Sequence, residues 1–234
     1  FYSLPNSPRL PCMNESEHQL HLSADEVLTT TRAVRKRLDF DRPLVMSEIR
    51  QCLDIALQAP SGSNAQSWQF MVVTEREKIE AIAKFYRKAF ADYETGPSQP
   101  TAQHGDDPAM ADTQQRVLNS AQYLAANLHR VPALLIPVMP YRFDAEGTPA
   151  HRVPGMFGSI LPAVWSFMLA ARERGIGSCW TTLHLEFEKE VAELLGIPGD
   201  HTQVALVPLA YTIGTDFKVA PRKPLDSVLH VNTW

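Results

Sequence analysis

Residues 158–174 read Gly-Ser-Ile-Leu-Pro-Ala-Val-Trp-Ser-Phe-Met-Leu-Ala-Ala-Arg-Glu-Arg and form the most apolar helical stretch of the chain. Large apolar side chains lie around much of the circumference of a helix built through these residues, and a helix of this kind is buried on several sides. Gly175 follows directly, as a C-terminal cap would. We therefore expect this helix to occupy either the centre of the fold or a subunit interface.

The first part of the chain predicts two helices. Ser23 and Glu26 make a capping box, and the helix that it opens is predicted to run into a basic segment at residues 32–37. Ser47 is predicted to cap a second helix. Its apolar residues recur at helical spacing, so Cys52 is expected on the core face.

A strand, a third helix and a long loop are predicted next. Residues 69–73 have the composition of a strand, and Thr74 with Glu77 predicts the start of the helix. Residues 92–113 are rich in glycine and proline and carry an acidic pair, a composition typical of a loop. We expect this segment to be a lid or an insertion.

Two further strands and a tail complete the pattern. The apolar run at residues 133–139 predicts a strand, and Pro137 within it favours a sheet edge or a bulge. Residues 204–213 predict a last strand. The proline-rich tail at residues 215–234 is too irregular to be a domain, so it should pack against something else. Helices mixed with short strands predict an α+β domain with helices on both faces of a small sheet.

Composition argues against several classes of protein. The chain is 44% hydrophobic with a formal net charge of -4, so a nucleic-acid partner is not expected. No apolar run approaches the roughly 20 residues that span a bilayer, so a membrane partner is not expected either. The three cysteines are scattered and form no CxxC motif, which favours a reducing, cytoplasmic setting. No histidine has metal-ligand spacing with a cysteine or a carboxylate, so no metal is expected.

A dense group of cations lies at residues 32–37. The cations are Arg32, Arg35, Lys36 and Arg37. One interpretation is a solvated patch at the end of the first helix, where positive charge complements the helix dipole. A nucleic-acid site is disfavoured because two aspartates follow at once and the whole chain is acidic. The functional interpretation is phosphate binding by guanidinium groups.

Residues 59–68 read Ala-Pro-Ser-Gly-Ser-Asn-Ala-Gln-Ser-Trp, and their glycine, small hydroxyls and amides suit a polar ligand. The alternative is an ordinary surface turn before a strand, with Trp68 packed in the core. Thr181 and Thr182 also have two interpretations: they contact a ligand, or they cap the helix that follows. The Gly-x-Gly at residues 175–177 lacks a third glycine and follows a helix, so it is no dinucleotide fingerprint, and the chain has no G-x-S-x-G elbow.

Four motifs together resemble the FMN-dependent nitroreductase family in order and spacing. They are Thr-Arg-Ala-Val-Arg at residues 31–35, the segment at residues 59–70, Gly-Ile-Gly-Ser-Cys-Trp-Thr-Thr at residues 175–182 and Pro-Arg-Lys-Pro-Leu at residues 221–225. The resemblance spans about residues 24–232. The run Trp-Thr-Thr-Leu-His at residues 180–184 is similar to the actinobacterial branch of NAD(P)H nitroreductases.

The resemblance implies a nitroreductase-like α+β fold with a small, mainly antiparallel central sheet flanked by helices. It implies a homodimer with two active sites at the subunit interface and swapped C-terminal tails. Residues 23–234 would form a single FMN-binding domain, with residues 92–113 as the lid and residues 215–234 packed on the partner subunit. Residues 1–22 are interpreted as a flexible leader or a remnant of cloning.

One FMN per site is implied, together with the residues that bind it. Arg32 and Arg222 would bind the phosphate from opposite ends of the chain. Arg35 would approach the pyrimidine side of the flavin ring, where a reduced flavin gathers negative charge. The partner subunit would supply Ser61, Gly62, Ser63 and Asn64, together with Pro60. One ring face would be covered by Trp180, Thr181 and Thr182, with backbone N–H groups near flavin N5.

The chain departs from the family pattern at three positions. Thr31 and Ala33 stand where the family often has arginine and serine, so this segment is expected to make fewer phosphate and ribityl contacts. Lys36 or Lys223 would be the candidates to compensate. Ser67 stands where proline is usual, which loosens the turn without touching a ligand group.

A ping-pong reaction is implied, in which NAD(P)H reduces the flavin and leaves before an electron-poor acceptor, such as a nitroaromatic or a quinone, enters the same pocket. No side chain is assigned as an essential acid or nucleophile, because the protein positions and tunes the flavin. Residues 92–113 with Tyr93 and Trp180 are the expected acceptor pocket. The alternatives are other FMN chemistry on the same fold, namely reductive dehalogenation, enoate-type reduction or flavin breakdown, and flavin binding or storage without catalysis.

Overall fold

The computed structural model describes residues 19–103 and 108–234. Within them the helices are α1 (Ala24–Thr30), α2 (Met46–Ala56), α3 (Arg76–Thr95), α4 (Pro108–Asn127), α5 (Val153–Glu173) and α6 (Glu188–Leu195). The strands are β1 (Gln69–Val73), β2 (Ala133–Met139), β3 (Ile176–Ser178), β4 (Thr202–Gln203) and β5 (Val207–Tyr211). Residues 1–18 of the predicted leader lie outside the described residues. Its last residues are bound to α5, because the backbone N–H of Leu20 donates to the Glu173 carbonyl at 2.8 Å.

A single sheet carries the strands in the order β1-β2-β5-β3, and β4 pairs with β2. Every pairing in it is antiparallel, as predicted. The side chains of β2 alternate between two core clusters, with Leu134 and Ile136 in one and Ala133 and Leu135 in the other. A strand that is buried on both faces needs apolar residues throughout, which explains the uninterrupted apolar run in this segment.

Helices cover both faces of the sheet, as the sequence predicted. One cluster joins the sheet to α3, α4 and α6, with Ile82 and Leu124 fully buried. The other joins it to α2 and α5, with Cys52 and Phe167 at its centre. Cys52 therefore faces the core as its helical spacing predicted.

Pro137 lies in the middle of the sheet, so the edge alternative is wrong and the bulge alternative is confirmed. Beside it β2 pairs with β5 at residues 133–135 and with β4 at residues 138–139. Three residues, 204–206, therefore stand opposite two, as in a β-bulge. The carbonyl of Pro137 accepts from Val204 in this interval at 2.9 Å. In a strand the backbone N and carbonyl of one residue point toward the same neighbouring strand. The N of Pro137, which has no hydrogen to donate, therefore faces the bulge, where no regular hydrogen bond is required.

Helix α1 ends before the basic segment, and the prediction that it continues through Arg32 and Arg35 is wrong. Thr31 caps the helix with extended backbone angles, φ -66° and ψ 128°. Its hydroxyl donates to the carbonyl of Val27 at 2.6 Å, and two preceding threonines bond back in the same way. β-Branched residues that bond the helix backbone are weak helix formers. The chain then turns toward β3, where Val34 finds a backbone partner.

Of the three predicted helix starts, that of α1 is confirmed and those of α2 and α3 are wrong. The Ser23 capping box is present in full. The N-cap of α2 is Val45 and that of α3 is Glu75, and neither side chain makes a capping bond. Ser47 lies inside α2, and Thr74 is one residue too early. Packing of the apolar faces therefore sets these two ends without a polar cap.

The loop predicted at residues 92–113 is shorter than expected, because α3 runs to Thr95 and α4 begins at Pro108. Tyr86, Phe90 and Tyr93 form a stripe on the core side of α3, and this packing extends the helix past the predicted end. A proline in the first turn of a helix loses no hydrogen bond. Residues 104–107 lie outside the described residues.

Helix α5 ends as predicted, with Gly175 at φ +65° just beyond it. By length and composition the segment Ala150–Glu173 is apolar enough to cross a membrane, so the sequence prediction that no such run exists is wrong. In its most apolar window 39% is buried. One face packs into the core beside α2, while Leu161 and Trp165 on the other are 37% and 41% exposed. The structure thus places the helix in the core and also leaves an apolar stripe uncovered.

Candidate functional site

Residues 31–37, the arginine segment, lie along the edge of the sheet beside β3. The backbone N–H of Val34 donates to the Ser178 carbonyl at 2.8 Å. Further along, Leu38 forms an antiparallel bridge with Thr212. Gly177 permits this close approach, since a Cβ there would lie 2.8 Å from Thr212 Cγ2 and 3.0 Å from side-chain atoms of Val34 and Leu38. The fold therefore fixes the backbone that presents the arginines.

A cavity of about 280 Å³ opens above this segment. It is lined by Arg32, Ala33, Val34, Arg35, Lys36, Arg37, Ser120 and Phe217. Arg37 forms an ion pair with Asp216 at 2.7 Å, so its charge is neutralised within the fold. Arg32 donates to the Lys218 carbonyl at 2.9 Å and Arg35 to the Ser120 hydroxyl at 3.2 Å. Within the described residues neither of these two pairs with a carboxylate, so their charges are available to an anion.

Residues 178–182, here called the wall segment, run on from the end of β3, where the Ser178 carbonyl bonds Val34 of the arginine segment. Thr181 exchanges both backbone hydrogen bonds with Leu206, at 3.1 Å and 2.8 Å, so its N–H is not free for a ligand. Its hydroxyl lies 3.1 Å from that of Tyr86, whose pKa burial raises to about 12. Thr182 is exposed and stands at the N-cap of the 3-10 helix Leu183–Phe187 without a side-chain capping bond. Of the two threonines, Thr182 is therefore the one open to a ligand.

Trp180 and Cys179 differ in their surroundings although they are neighbours. Trp180 is partly buried and packs against the core cluster of α2 and α5. Cys179 is fully buried, and its thiol donates to the carbonyl of Trp180 at 3.7 Å. Burial raises the pKa of its thiol, and the positive charge of Arg35 acts in the opposite direction. The thiol thus stays protonated at neutral pH.

Residues 59–66, the serine loop, lie on the surface in a strained conformation. Ser63, Asn64 and Gln66 have φ values of 53°, 52° and 48°. The left-handed region costs a non-glycine residue roughly 1–2 kcal/mol. The N–H of Gly62 donates to the Ser159 hydroxyl on α5 at 3.0 Å, which anchors the loop. Strain of this kind concentrates at binding sites.

Pro60 and Ser61 begin the serine loop, and Trp68 follows it. Pro60 is exposed, whereas the Ser61 hydroxyl accepts from the Gln66 N–H at 3.1 Å and closes the loop. Trp68 is only 6% exposed and belongs to the core. The alternative that this tryptophan simply packs in the core is therefore correct, while the residues before it remain free to contact a ligand.

The structure does not bring the serine loop and the arginine segment together. The loop is anchored at Ser159, near the start of α5. The arginine segment lies beside the other end, where Arg172 donates to Thr30 at 3.2 Å and lines a small cleft with Arg32. Thirteen residues of helix separate the two anchors, about 20 Å at 1.5 Å per residue. Within one chain the two motifs therefore face different surroundings.

Arg222 is exposed, and within the described residues its side chain bonds only the carbonyl of Pro221, at 2.9 Å. The bond from Arg32 to Lys218 fixes the tail four residues earlier, which leaves Arg222 within about 14 Å of extended chain from that point. Beyond it the tail exposes Leu225, Val228 and Trp234. Thr31, in contrast, is buried, and its hydroxyl is already used by α1.

Sequence reasoning missed three residues that shape this site. Ser120 on α4 and Tyr86 on α3 contact it from helices that carry no recognised motif, and only the fold brings them there. His184 follows the threonines and is fully buried, and neither ring nitrogen has a partner among the described residues. Burial lowers its pKa to about 3. Among the described residues no group of three or more His, Cys, Asp or Glu side chains could hold a metal ion.

The described residues thus form an antiparallel sheet between two helical layers, with a cationic cavity at the edge of the sheet. The model of the Nitroreductase family matches residues 28–211. The chain belongs to the Nitroreductase family, and it is accordingly an oxidoreductase.

Two relatives named 4-nitrobenzoate reductase are similar to this chain. The one from Nocardioides sp. (strain LMS-CY) is 25% identical over 215 residues, which cover 80% of this chain and 79% of the relative. The one from Pseudomonas putida is 26% identical over 199 residues, which cover 80% of this chain and 84% of the relative.

Solved structures share the fold. A variant of an FMN and NADPH-dependent nitroreductase from Sphingopyxis sp. strain HMH has a TM-score of 0.64 at 23% identity, covering 91% of this chain and 100% of the other. Oxidised iodotyrosine deiodinase bound to FMN and 3-iodo-L-tyrosine has a TM-score of 0.64 at 20% identity, covering 88% and 98%. The nitroreductase-like α+β fold expected from the four motifs is thereby confirmed.

Proposed function

We propose that the protein is an FMN-dependent oxidoreductase that takes hydride from NAD(P)H and reduces nitroaromatic, quinone or similar electron-poor acceptors by a ping-pong mechanism. The observation that carries this proposal is the pair Arg32 and Arg35, which face one cavity beside residues 178–182 without a carboxylate partner among the described residues. Membership of the Nitroreductase family and the FMN named for two structural neighbours support it.

The donor set fits FMN. A phosphate carries nearly two negative charges, and more than one guanidinium is needed to balance it. Arg32 would bind the phosphate with Arg222, and Lys36, which also lines the cavity, would support them. Thr31 and Ala33 add little, because the Thr31 hydroxyl is occupied and alanine has none.

The flavin ring would lie between Arg35 and the wall at residues 178–182. Arg35 would face its pyrimidine side, and Trp180, Thr181 and Thr182 would line one face. Because the Thr181 N–H is used by Leu206, only the N–H of Thr182 would be offered to the ring by these two threonines. Bound FMN supplies the chemistry by accepting a hydride and passing two electrons to the acceptor. The side chains position it, exclude water and fix a positive charge beside it.

A homodimer would complete the site. Pro60, Ser61, Gly62, Ser63 and Asn64 would contact the flavin bound by the neighbouring subunit, since about 20 Å of α5 separates them from the arginine segment of their own chain. The exposed stripe of α5 supports this arrangement, because residues 153–171 contain no charged side chain and present Leu161 and Trp165 to the surface. Residues 215–234 would pack on the partner and cover the exposed apolar residues of the tail.

The acceptor would enter beside the wall segment and the end of α3. A cavity of about 340 Å³ is lined there by Tyr93, Gly96 and Leu183, among others. The loop after α3, the described part of the predicted lid, borders this cavity. In this proposal residues 23–234 act as a single domain in the cytoplasm, where the buried thiols Cys52 and Cys179 stay reduced.

The visible absorbance spectrum and an anaerobic reduction test this function. Purified protein, reconstituted with FMN and freed of excess cofactor, is expected to show a flavin spectrum that bleaches with NADH or NADPH and recovers with a nitroaromatic or a quinone. A protein that retains no FMN contradicts the proposal. A yellow protein that neither nicotinamide donor bleaches would instead be a flavin-binding or storage protein.

A further inference from the structure

Ser120 is the side chain that α4 contributes to the cofactor cavity. Its Oγ accepts a hydrogen bond from Arg35 Nη1 at 3.2 Å. The same hydroxyl donates its proton to the Val117 carbonyl, three residues earlier on the helix, at 2.9 Å. With the proton committed to the helix, the lone pairs of the oxygen are left to face the guanidinium. The Ser120 hydroxyl is therefore oriented to accept a hydrogen bond from a cation.

Arg35 has few other constraints. It is half-buried and lines the cavity from the start of a turn, where its carbonyl accepts from the Leu38 N–H at 3.4 Å. Among the described residues Ser120 is its hydrogen-bond partner in the α4 layer. An arginine side chain has about 2 kcal/mol of rotamer entropy to lose when it is fixed. A single directional hydrogen bond to Ser120 can therefore fix the position of the Arg35 guanidinium.

We propose that Ser120 is a positioning residue that fixes the Arg35 guanidinium in the cavity and thereby raises the reduction potential of the bound cofactor. This inference rests on the proposed function. A cation held at one place favours the more negative, reduced state of a flavin, whereas a cation that moves among rotamers and is hydrated stabilises it less. Ser120 acts through Arg35 and touches no reacting atom.

The alternative is that Ser120 merely bonds the backbone of its own helix, as serine often does. The two roles differ in what a substitution changes. Loss of a local helix bond alters the stability of the protein and leaves the cofactor potential unchanged. Loss of the Arg35 anchor alters the potential, and does so only when Arg35 is present.

The experiment uses the FMN-loaded protein and its Ser120→Ala, Ser120→Thr and Ser120→Cys variants. The two-electron midpoint potential is measured by equilibration with a reference dye, and FMN affinity by titration of the apoprotein. Ser120→Ala is expected to lower the equilibrium constant for flavin reduction about tenfold, which is about 30 mV for a two-electron couple. FMN affinity should change less than about threefold, because the phosphate contacts are intact. Ser120→Thr keeps the oxygen and should retain the potential, whereas cysteine, a weak acceptor, should fall between.

Two controls separate positioning from helix stability. Asn119→Ala alters the exposed neighbour on α4, whose Oδ1 accepts from Gln115 at 2.9 Å, and should leave the potential unchanged. Ser120→Ala added to Arg35→Ala should cause no further shift. The proposal is overturned if Ser120→Ala moves the potential no more than Asn119→Ala, or if its shift persists without Arg35. If Ser120→Ala does not fold, the threonine and cysteine variants decide, and equal potentials in both overturn it. Wild-type protein that binds no FMN overturns the proposed function first, and this inference with it.

Discussion

The arginine segment and the serine loop are two halves of one proposed site, and the fold treats them differently. The arginine segment is bonded to β3 and packed over Gly177, where a single added carbon would collide with three side chains. The serine loop is largely exposed, and beyond its own turn it is bonded to α5 through Gly62 and Ser159 and to the end of α2 through Ala59 and Ala56. It also contains three non-glycine residues with positive φ.

This difference indicates which half a single chain completes. A segment fixed by the sheet can present charges to a cofactor without help. The exposed loop keeps its strained conformation mainly through bonds within its own turn, and we expect a ligand or a partner subunit to contact it. The two halves should therefore respond differently to acid, to loss of charge, to crowding and to relief of strain.

Acid should destabilise the fold that holds the arginine segment in place, and this is the largest effect we expect. Burial lowers the pKa of His184 in the folded protein to about 3, from an ordinary value of 6.5. A lowered pKa means that the contribution to stability is complete above pH 6.5 and is lost as the pH falls toward 3. At about 1.4 kcal/mol per pH unit, roughly 3 kcal/mol should be lost between pH 6.5 and pH 4. Urea unfolding at a series of pH values measures this loss in the free energy of unfolding.

Two variants isolate the contribution of this histidine. His184→Leu should remove most of the acid sensitivity, because both ring nitrogens are buried without a partner among the described residues and an apolar side chain needs none. His151→Leu makes the same substitution at an exposed histidine and is the matched control. Residues 59–67 contain no titratable side chain, so the serine loop itself should not respond to acid. If His184→Leu and wild type lose the same stability in acid, His184 is not the source of the acid sensitivity.

Loss of one phosphate-binding charge should be the next largest effect. Arg32→Ala and Arg222→Ala are each expected to weaken FMN binding by about 1.5–3 kcal/mol, roughly 10- to 150-fold, the range for a hydrogen bond to a charged group. Fluorescence titration of FMN into the apoprotein measures the dissociation constant. Lys84→Ala removes one exposed surface charge from α3 and should have no such effect. If Arg222→Ala binds FMN as tightly as Lys84→Ala does, the tail takes no part in the site.

The sequence was sufficient for features that depend on local pattern. The capping box at Ser23, the glycine stop at Gly175 and the core position of Cys52 are set by nearby residues, and all three are confirmed. The arrangement of helices on both faces of a small sheet followed from the mixture of helices and short strands. Arg32 and Arg35 were correctly placed near one another, although they lie beyond the end of α1 and not on the helix that their spacing suggested.

What the sequence could not provide depends on contacts between distant residues. Ser120 is 85 residues from Arg35, and nothing in its own helix distinguishes it from an ordinary exposed serine. The N–H of Thr181 is taken by Leu206, a pairing that exists only once the last strand has folded back. Pro137 was allowed two positions, and only the register of β4 and β5 decided between them. Tertiary contacts override local preference at each of these places.

Crowding beneath the arginine segment should destabilise the fold that holds this segment in place. Gly177→Ala would place a Cβ 2.8 Å from Thr212 Cγ2, and overpacking of this kind costs about 1–3 kcal/mol. FMN affinity should fall as well, since Val34 and Leu38 must shift. Gly199→Ala is the matched control, because its Cβ would meet nothing within 4 Å. Equal melting temperatures for the two variants would show that the segment is less tightly packed than these distances require.

Relief of strain in the serine loop should give the smallest effect, and of opposite sign. Ser63 has φ 53° and ψ 23°, where glycine avoids roughly 1–2 kcal/mol of steric cost but loses about 0.5–1 kcal/mol more conformational freedom on folding. Ser63→Gly should therefore stabilise the apoprotein by about 0.5–1 kcal/mol, and Asn64→Gly by less, because asparagine tolerates this region better. Ser67→Gly, where φ is not positive, carries only the entropic cost and should destabilise the protein.

Thermal unfolding of the three variants tests the sign of these effects. If Ser63→Gly stabilises the protein but weakens FMN binding, the strained conformation of the loop contributes to ligand binding. If Ser63→Gly and Ser67→Gly are destabilised alike, the loop is not strained, and its conformation no longer distinguishes it from an ordinary turn.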